Sequence, residues 1–221
     1  MKNKRTKPRT YYPVFLNLEG KQCVIIGAGE VALRKIRMLL DCGAKVTVIS
    51  PIVHPELSRL TESRAIEVIQ RTYEPGDLQG AVMVISATDD EKINQRVADE
   101  AKKRGVHINV VDDPARSDFI VPSYFRRGGL TIAVSTSGMS PALARKIRTK
   151  LEQDFGEEYA SMLSLIEEVR STLKDRGVTA SADAWQETLD LDLLVDLVKK
   201  GREEEAKSTL LEKLEALKKD H

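Results

Sequence analysis

The chain has 221 residues, of which 41% are hydrophobic and 31% are charged, and its formal net charge is +1. No apolar run approaches the roughly 18 residues of a membrane span, and no apolar signal-peptide core follows the basic start Met1–Thr10. We therefore expect a soluble, cytoplasmic protein that forms one large domain or two small ones.

The charge is divided unevenly along the chain. Residues 1–150 carry a net charge of +9, whereas residues 151–221 carry −8. The basic first part would attract anionic ligands. Nucleic acid is not favoured as a partner, because no recognition motif and no basic-aromatic pattern is present. The basic residues at the N-terminus are expected to form a solvated, frayed end.

The cysteines and histidines do not indicate a metal site. Cys23 and Cys42 form no C-x-x-C pair, and the three histidines lack the spacing of metal ligands. We expect the two cysteines to be buried, inert thiols.

Strands and helices alternate over residues 22–112. Five strands are predicted at Gln22–Ile26, Lys45–Ser50, Ile66–Gln70, Ala81–Ala87 and His107–Val111, and three helices at Glu30–Cys42, His54–Ser63 and Glu91–Arg104. The run Ala81–Ala87 is almost continuously apolar, which is typical of a strand covered on both faces. This alternation predicts an α/β fold with a Rossmann-type, doubly wound parallel sheet.

The pattern changes after Asp113. Two strands are predicted at Phe119–Ser123 and Leu130–Thr136, joined by a turn-rich link at Arg126–Gly129. Ser140-Pro141 then begins a helix, with serine as N-cap and proline at the first helical position. The remainder is predicted to be helical, at Ala142–Leu151, Tyr159–Lys174, Leu189–Lys200 and Glu203–Lys219.

The most informative stretch is Gly27-Ala28-Gly29, between the first strand and the first helix. Gly27 permits a tight turn, Gly29 lets a pyrophosphate approach the backbone, and Ala32 is small enough for the helix to pack on the strand. The N-terminus of the helix offers unpaired N–H groups and a partial positive charge to phosphate. Because a strand precedes the motif and a helix follows it, a dinucleotide site is favoured over a chance glycine-rich turn.

The second strand ends without the acidic residue that usually holds the ribose hydroxyls of NAD. That position is Ser50, followed by Pro51-Ile52, so a hydroxyl or backbone groups would bind the ribose with less discrimination. No arginine follows immediately to favour a 2′-phosphate. The choice between NAD and NADP therefore stays open, with a mild preference for NAD.

Two further strands end in polar residues at the carboxyl edge of the predicted sheet. Thr88 is a candidate for lining the cofactor, and Asp89 either shares that role or caps the helix that begins at Glu91. After the fifth strand, Asp112 is a candidate general base, whereas Asp113 precedes Pro114 and suits a turn. From the residues alone, the catalytic and the turn interpretation of this pair both stay open.

Seven motifs, in order and in spacing, resemble those of the precorrin-2 dehydrogenase and sirohydrochlorin ferrochelatase family, which also forms the front part of siroheme synthases. The match spans roughly residues 12–155. The motifs are Tyr12–Gly20, Val24–Lys35, Ala87–Asp90, Asn94-Gln95, Asn109–Asp112, Asp118–Ser123 and Ile132–Arg145.

The resemblance implies oxidation of precorrin-2 to sirohydrochlorin with NAD as cofactor, and some relatives also insert iron or cobalt into the product. It implies three parts: a nucleotide-binding domain at residues 1–115, a dimerisation region of a homodimer at residues 116–150, and a helical domain at residues 151–221. The family's essential aspartate falls on Asp112. The expected cofactor-binding residues are Gly27, Ala28, Gly29, Glu30, Val31, Ser50, Pro51, Ile52 and Thr88.

The substrate implied by the resemblance is a macrocycle with eight carboxylates. The residues expected to bind it are Asn109, Ser135, Thr136, Ser137 and Arg145, and the neighbouring cations Arg126, Arg127, Lys146 and Arg148 either pair with carboxylates or form solvated faces. Thr136 stands where some relatives carry a phosphorylated serine, so regulation by phosphorylation stays open.

Two other functions remain as alternatives. A non-catalytic NAD-binding regulatory domain would commonly carry an acid after the second strand, and a chelatase alone would need no intact nucleotide loop. We expect that no methyltransferase domain follows residue 221 and that precorrin-2 is made by another protein.

Overall fold

A computed structural model describes residues 9–217, which fall into two compact units that divide between Val121 and Pro122. Of the predicted basic end, only Arg9 and Thr10 belong to the described residues. The first unit contains five strands and three helices. They are β1 (Gln22–Ile26), α1 (Glu30–Leu40), β2 (Lys45–Ile49), α2 (Pro55–Glu62), β3 (Ile66–Ile69), β4 (Met83–Ser86), α3 (Glu91–Arg104) and β5 (His107–Val110).

The five strands form one parallel sheet in the order β3-β2-β1-β4-β5. The predicted Rossmann-type sheet is therefore confirmed. The largest differences are in β4, which begins two residues later than predicted and ends one residue earlier, and in α1, which ends two residues earlier. The order reverses at β1 and β4, so the carboxyl ends of these strands form the crevice where such sheets bind ligands.

Alternation along β1 explains why its sequence is continuously apolar. Cys23 and Ile25 lie in a core shared with α1 and α2, whereas Val24 and Ile26 lie in a core shared with α3. Both faces of the sheet are thus covered. Cys23 is fully buried, and this burial, followed by the nearby Cys42, raises the pKa of its thiol to about 11. The predicted burial is confirmed for Cys23, and its raised pKa agrees with an inert thiol, while Cys42 is half-buried.

The connection from β3 to β4 contains no helix and is held by a network of side chains. Arg71 donates to both carboxylate oxygens of Asp77, at 2.8 and 2.7 Å, and the backbone N–H of Glu74 donates to the same carboxylate. Tyr73 is buried, and its hydroxyl donates to Glu100 of α3. These contacts fix the connection on the α3 face of the sheet.

The second unit contains a two-stranded antiparallel hairpin and five helices. They are β6 (Ser123–Arg127), β7 (Leu130–Val134), α4 (Pro141–Asp154), α5 (Glu158–Asp175), α6 (Ala182–Thr188), α7 (Leu191–Lys199) and α8 (Glu203–Leu217). Val169, Leu210 and Leu214 are almost fully buried in the core between α5, α7 and α8. Trp185 of α6 packs against that core, and the Arg170 guanidinium lies over its ring at 5.2 Å.

The predicted strand Phe119–Ser123 is wrong, because the strand lies four residues later. Arg127 pairs with Leu130, so the two-residue turn is Gly128-Gly129, and Arg126 and Arg127 belong to β6 rather than to the link. Gly128 has φ +54°, as a two-residue hairpin turn requires.

The helical segments also differ from the prediction. The helix predicted at Leu189–Lys200 is α7 alone, which begins after its N-cap Asp190, and the preceding α6 was missed although Ser181 caps it. Of the last predicted helix, Lys218 and Lys219 lie outside the described residues. Among the helices of residues 9–217, none has the length and apolar character needed to cross a membrane. The division into parts at residues 115 and 150 stays a prediction.

Candidate active site

The loop from β1 to α1 forms a site suited to phosphate. Gly27 has φ +101°, and a Cβ there would stand 2.4 Å from the carbonyl oxygen of Ala87, so only glycine allows this turn to lie against the end of β4. Gly29 has open space where a Cβ would be and is the N-cap of α1 without a side-chain hydrogen bond. Ala32 is fully buried, which lets α1 pack closely on the sheet. The first N–H groups of α1 thus follow a glycine with open space at its Cβ position, an arrangement suited to the pyrophosphate of a dinucleotide.

The end of β2 supplies the next predicted cofactor residues. The hydroxyl of buried Ser50 donates to the carbonyl oxygen of Ile52 at 2.7 Å, so it fixes the turn Ser50–Ile52. Pro51 is exposed, and Ile52 is 81% exposed. An exposed apolar side chain at a strand end of such a sheet is suited to contact a flat aromatic ring.

The end of β4 is organised by hydrogen bonds within the chain. The Thr88 carbonyl oxygen accepts from the side-chain amide of Asn94, which also pairs with the hydroxyl of Ser86. The N-cap of α3 is Asp90, whose carboxylate accepts from the backbone N–H groups of Lys92 and Ile93, so the predicted cap at Asp89 is wrong by one residue. Half-buried Thr88 stands at the carboxyl end of β4, next to the strand that bears the glycine loop.

The two candidate carboxylates after β5 have different environments. Asp112 is exposed and has φ +60°, a left-handed conformation that is uncommon for a residue other than glycine. Asp113 accepts from the N–H groups of Ala115 and Arg116 and forms an ion pair with Arg116 at 2.9 Å, so it caps the short 3-10 helix Pro114–Arg116. The turn role of Asp113 is confirmed, and Asp112 is the carboxylate that remains available for chemistry.

Asn109 of β5 donates its side-chain amide to the carbonyl oxygen of Phe119 at 3.0 Å. Ser117 bonds to both backbone groups of Val110, and the Asp118 carboxylate accepts from the backbone N–H of Ile108. These bonds fold the chain back along β5 and fix the segment that contains Asp112.

Lys35 of α1 is a candidate that sequence reasoning did not single out. It is half-buried, and its burial, followed by the neighbouring Arg34, lowers the pKa of its ammonium, while Asp112 acts in the opposite direction. Val111 and Phe119 pack against the core beneath α1, which explains why Lys35 and Asp112 interact although 77 residues separate them. In the sequence, the only signal for this position of Lys35 is the helical periodicity of α1.

The remaining predicted substrate residues lie in the second unit. The Ser135 hydroxyl oxygen accepts from the N–H of Ser137, which has φ +53°. Thr136 bonds through its hydroxyl to both backbone groups of Ser140, the N-cap of α4. Arg145 is exposed on α4. The loop Ser135–Ser137 is therefore tied to the start of α4, with its chain strained at Ser137.

The cations near this loop divide into two groups. Arg127 pairs with Glu157 and Glu152, and Arg148 pairs with Glu152, so these arginines already have carboxylate partners. Arg145 and Lys146 are exposed on α4. Within residues 9–217, no group of three or more histidine, cysteine, aspartate or glutamate side chains is arranged to hold a metal ion.

A parallel sheet with a glycine-lined phosphate site at its switch point defines a Rossmann-type, dinucleotide-binding protein. Comparison with known families agrees: a putative NAD(P)-binding family matches residues 14–123, and the sirohaem biosynthesis protein central family matches residues 127–154. The chain belongs to the family that contains the siroheme synthases and precorrin-2 dehydrogenase, as the sequence motifs predicted.

Individual relatives support this assignment. The siroheme synthase of Thioalkalivibrio sulfidiphilus is 38% identical over 207 residues, 93% of this chain and 42% of that protein, and that of Methylobacillus flagellatus is 37% identical over 90% of this chain and 43% of its own length. The chain thus spans about two fifths of the length of these relatives. The solved structure of SirC, precorrin-2 dehydrogenase, matches with a TM-score of 0.73 and 25% identity, over 90% of this chain and 98% of that chain.

Proposed function

We propose that the protein oxidises precorrin-2 to sirohydrochlorin with NAD as the hydride acceptor. The observation that carries the proposal is the pairing, in one unit, of an open phosphate site at Gly29 with an exposed carboxylate, Asp112, at the carboxyl end of β5. The likeness of the chain to SirC over 98% of that structure supports the same substrate.

The cofactor is assigned to residues of three strand ends. The N–H groups of Glu30 and Val31 bind the pyrophosphate beside the loop Gly27–Gly29, and the turn Ser50–Ile52 contacts the adenosine part. Thr88 lines the site at the end of β4. NAD, when bound, supplies the acceptor for a hydride.

Asp112 has the role of general base. The oxidation removes two electrons and one proton from a carbon of the macrocycle as a hydride, and it releases a second proton, which a carboxylate takes. Lys35 interacts electrostatically with Asp112 and so places a positive charge near this carboxylate. Asn109, the loop Ser135–Ser137 and Arg145 are proposed to bind the substrate, Arg145 by pairing with a carboxylate.

The test is the formation of NADH from precorrin-2 by the wild-type protein and by Asp112→Asn. Asparagine keeps the shape of the side chain and tolerates the left-handed backbone, so only the base is lost. We expect kcat to fall about 10²–10⁴-fold with unchanged affinity for NAD.

Asp113→Ala serves as the comparison, and its kcat should fall less than that of Asp112→Asn. Near-normal turnover in Asp112→Asn would overturn the role of Asp112, and a loss confined to Asp113→Ala would move the base by one residue. A wild-type protein that binds NAD but forms no NADH would favour the regulatory alternative.

We further propose that the protein is a homodimer built through residues 116–150. A two-stranded sheet is only marginally stable by itself, and both of its edges are unpaired. Leu143 and Ile147 lie one turn apart on α4 and are 51% and 39% exposed, and Met139, which precedes the helix, is 69% exposed; a second copy would cover these apolar side chains.

Sedimentation tests the dimer. We expect a dimer at micromolar concentration for the wild type and a monomer for Leu143→Glu, because a charge in an apolar interface is costly. Leu191→Glu, at the similarly exposed Leu191 of α7 (48%), is the control and should remain dimeric. A wild-type monomer would contradict the proposal.

A further inference from the structure

The turn that follows β5 holds Asp112 in an unusual conformation. We define the Asp112 turn as residues 111–117. Left-handed backbone at a non-glycine residue persists only where its surroundings fix it. Here the N–H of Val111 donates to the carbonyl oxygen of Ser86, and the N–H of Asp113 donates to that of Val110. The direction of the Asp112 carboxylate therefore depends on what fixes the rest of the turn.

Arg9 binds the far side of the Asp112 turn. Its guanidinium donates to the carbonyl oxygen of Pro114 at 2.5 Å, and to those of Ala115 and Ser117 at 3.4 Å each. Arg9 thus connects the start of the chain to a turn that lies 105 residues further on.

The chemistry of this contact suits arginine. The carbonyl oxygens of the 3-10 helix Pro114–Arg116 and of Ser117 after it carry a partial negative charge, which attracts a cation. A guanidinium has several N–H donors in a planar arrangement and can bind three carbonyl oxygens at once, whereas an ammonium is a single point of charge. A glutamine at this position would have no charge and fewer donors.

We propose that Arg9 is a positioning residue for Asp112, acting through the Asp112 turn. This inference rests on the proposed role of Asp112 as general base. Arg9 binds one side of the turn, and Asp113, Arg116 and Ser117 bind it from within, so the backbone that carries the Asp112 carboxylate is held from both sides. The segment before the nucleotide-binding sheet is then part of the catalytic apparatus.

Arg9→Gln should leave the protein folded, because the internal bonds of Asp113 and Ser117 remain. We expect kcat with precorrin-2 and NAD to fall about 10- to 100-fold, as for a small displacement of a catalytic group. The affinity for NAD should not change, since within residues 9–217 the hydrogen bonds of the Arg9 side chain go to the Asp112 turn and not to the glycine loop. Arg9→Lys should recover part of the loss.

Two further measurements make the outcome decisive. Arg59→Gln, at an exposed arginine of α2 whose side chain has no hydrogen bond or ion pair with the described residues, should have wild-type kcat. Amide exchange in the Asp112 turn should be faster in Arg9→Gln than in the wild type. Unchanged kcat with unchanged exchange would overturn the proposal, as would a loss of NAD affinity equal to the loss of kcat.

The proposed function can fail separately. If the wild-type protein forms no NADH, the exchange measurement still decides whether Arg9 fixes the Asp112 turn: faster exchange in Arg9→Gln supports that contact, and equal exchange refutes it.

Discussion

At the scale of single residues, the two glycines of the β1–α1 loop occupy their positions for different physical reasons. Gly27 needs its positive φ and its lack of a Cβ, because the carbonyl oxygen of Ala87 would lie 2.4 Å away. Gly29 needs neither, since its φ of −83° is open to other residues and its Cβ position is empty. The fold therefore requires glycine at position 27 and does not require it at position 29, which agrees with the proposed phosphate site at Gly29.

This difference predicts the behaviour of Gly29→Asp. Aspartate is a favoured N-cap, so the unfolding free energy should stay equal or rise by a few tenths of a kcal/mol. The new carboxylate would occupy and repel the phosphate position, so NAD binding should be lost. Thermal unfolding and NAD titration measure both properties. Unchanged NAD affinity in the folded variant would refute a phosphate site at this loop.

The candidate residues were predictable from sequence where they follow a strand directly. Thr88 and Asp112 could be placed because the carboxyl ends of parallel strands meet at one edge. Lys35 and Arg9 could not be placed, since their contacts with the Asp112 turn join segments 77 and 105 residues apart. The choice between Asp112 and Asp113 required the hydrogen bonds that commit Asp113 to its cap.

At the scale of elements, prediction failed where turn geometry decides the register. The strand β6 was placed four residues too early because its two-residue turn, Gly128-Gly129, was treated as part of a longer link. The apolar residues Phe119–Val121 resemble a strand, yet they form none, and Asn109 of β5 binds the carbonyl oxygen of Phe119. The central strands β1 and β4 were placed closely because burial on both faces leaves a nearly continuous apolar run.

The connection between β3 and β4 gives a prediction on pH. The Arg71 hydrogen bond lowers the pKa of Asp77 below its usual value of 3.8. Its contribution to stability is therefore complete above the unfolded-state pKa and is lost as the pH falls through the lower folded-state pKa. Asp77→Asn should unfold at a lower temperature than the wild type at pH 6, and this difference should shrink below about pH 4.

Asp89→Asn provides the control, because the exposed Asp89 carboxylate has no hydrogen bond or ion pair with the described residues. Its melting temperature should follow the wild type across this pH range. A difference between Asp77→Asn and the wild type that is constant from pH 6 to pH 3 would contradict the assigned ion pair.

At the scale of the whole molecule, the contacts that build the two units differ in how far apart along the sequence the paired residues lie. In the sheet, β1 pairs with β2, where Cys23 lies opposite Val46, and with β4, where it lies opposite Met83. In the second unit, the hairpin closes across two residues, and the helices follow one another with short connections. The sheet must therefore close long loops before its central strand is paired, whereas the helical segments need not.

This difference in range has a consequence for the order of refolding. Chains rich in local contacts fold faster than those that depend on distant strand pairing. Trp185, the only tryptophan, reports on the helical unit, and the buried thiol of Cys23 reports on the centre of the sheet. After dilution from denaturant, Trp185 fluorescence should reach its native value before Cys23 becomes protected.

Pulsed thiol labelling of a Cys42→Ser variant, in which Cys23 is the only cysteine, measures the protection directly. Protection of Cys23 that preceded the fluorescence change would show that the parallel sheet forms first. The positions of one thiol and one indole would then allow the folding of each unit to be timed separately in a single refolding reaction.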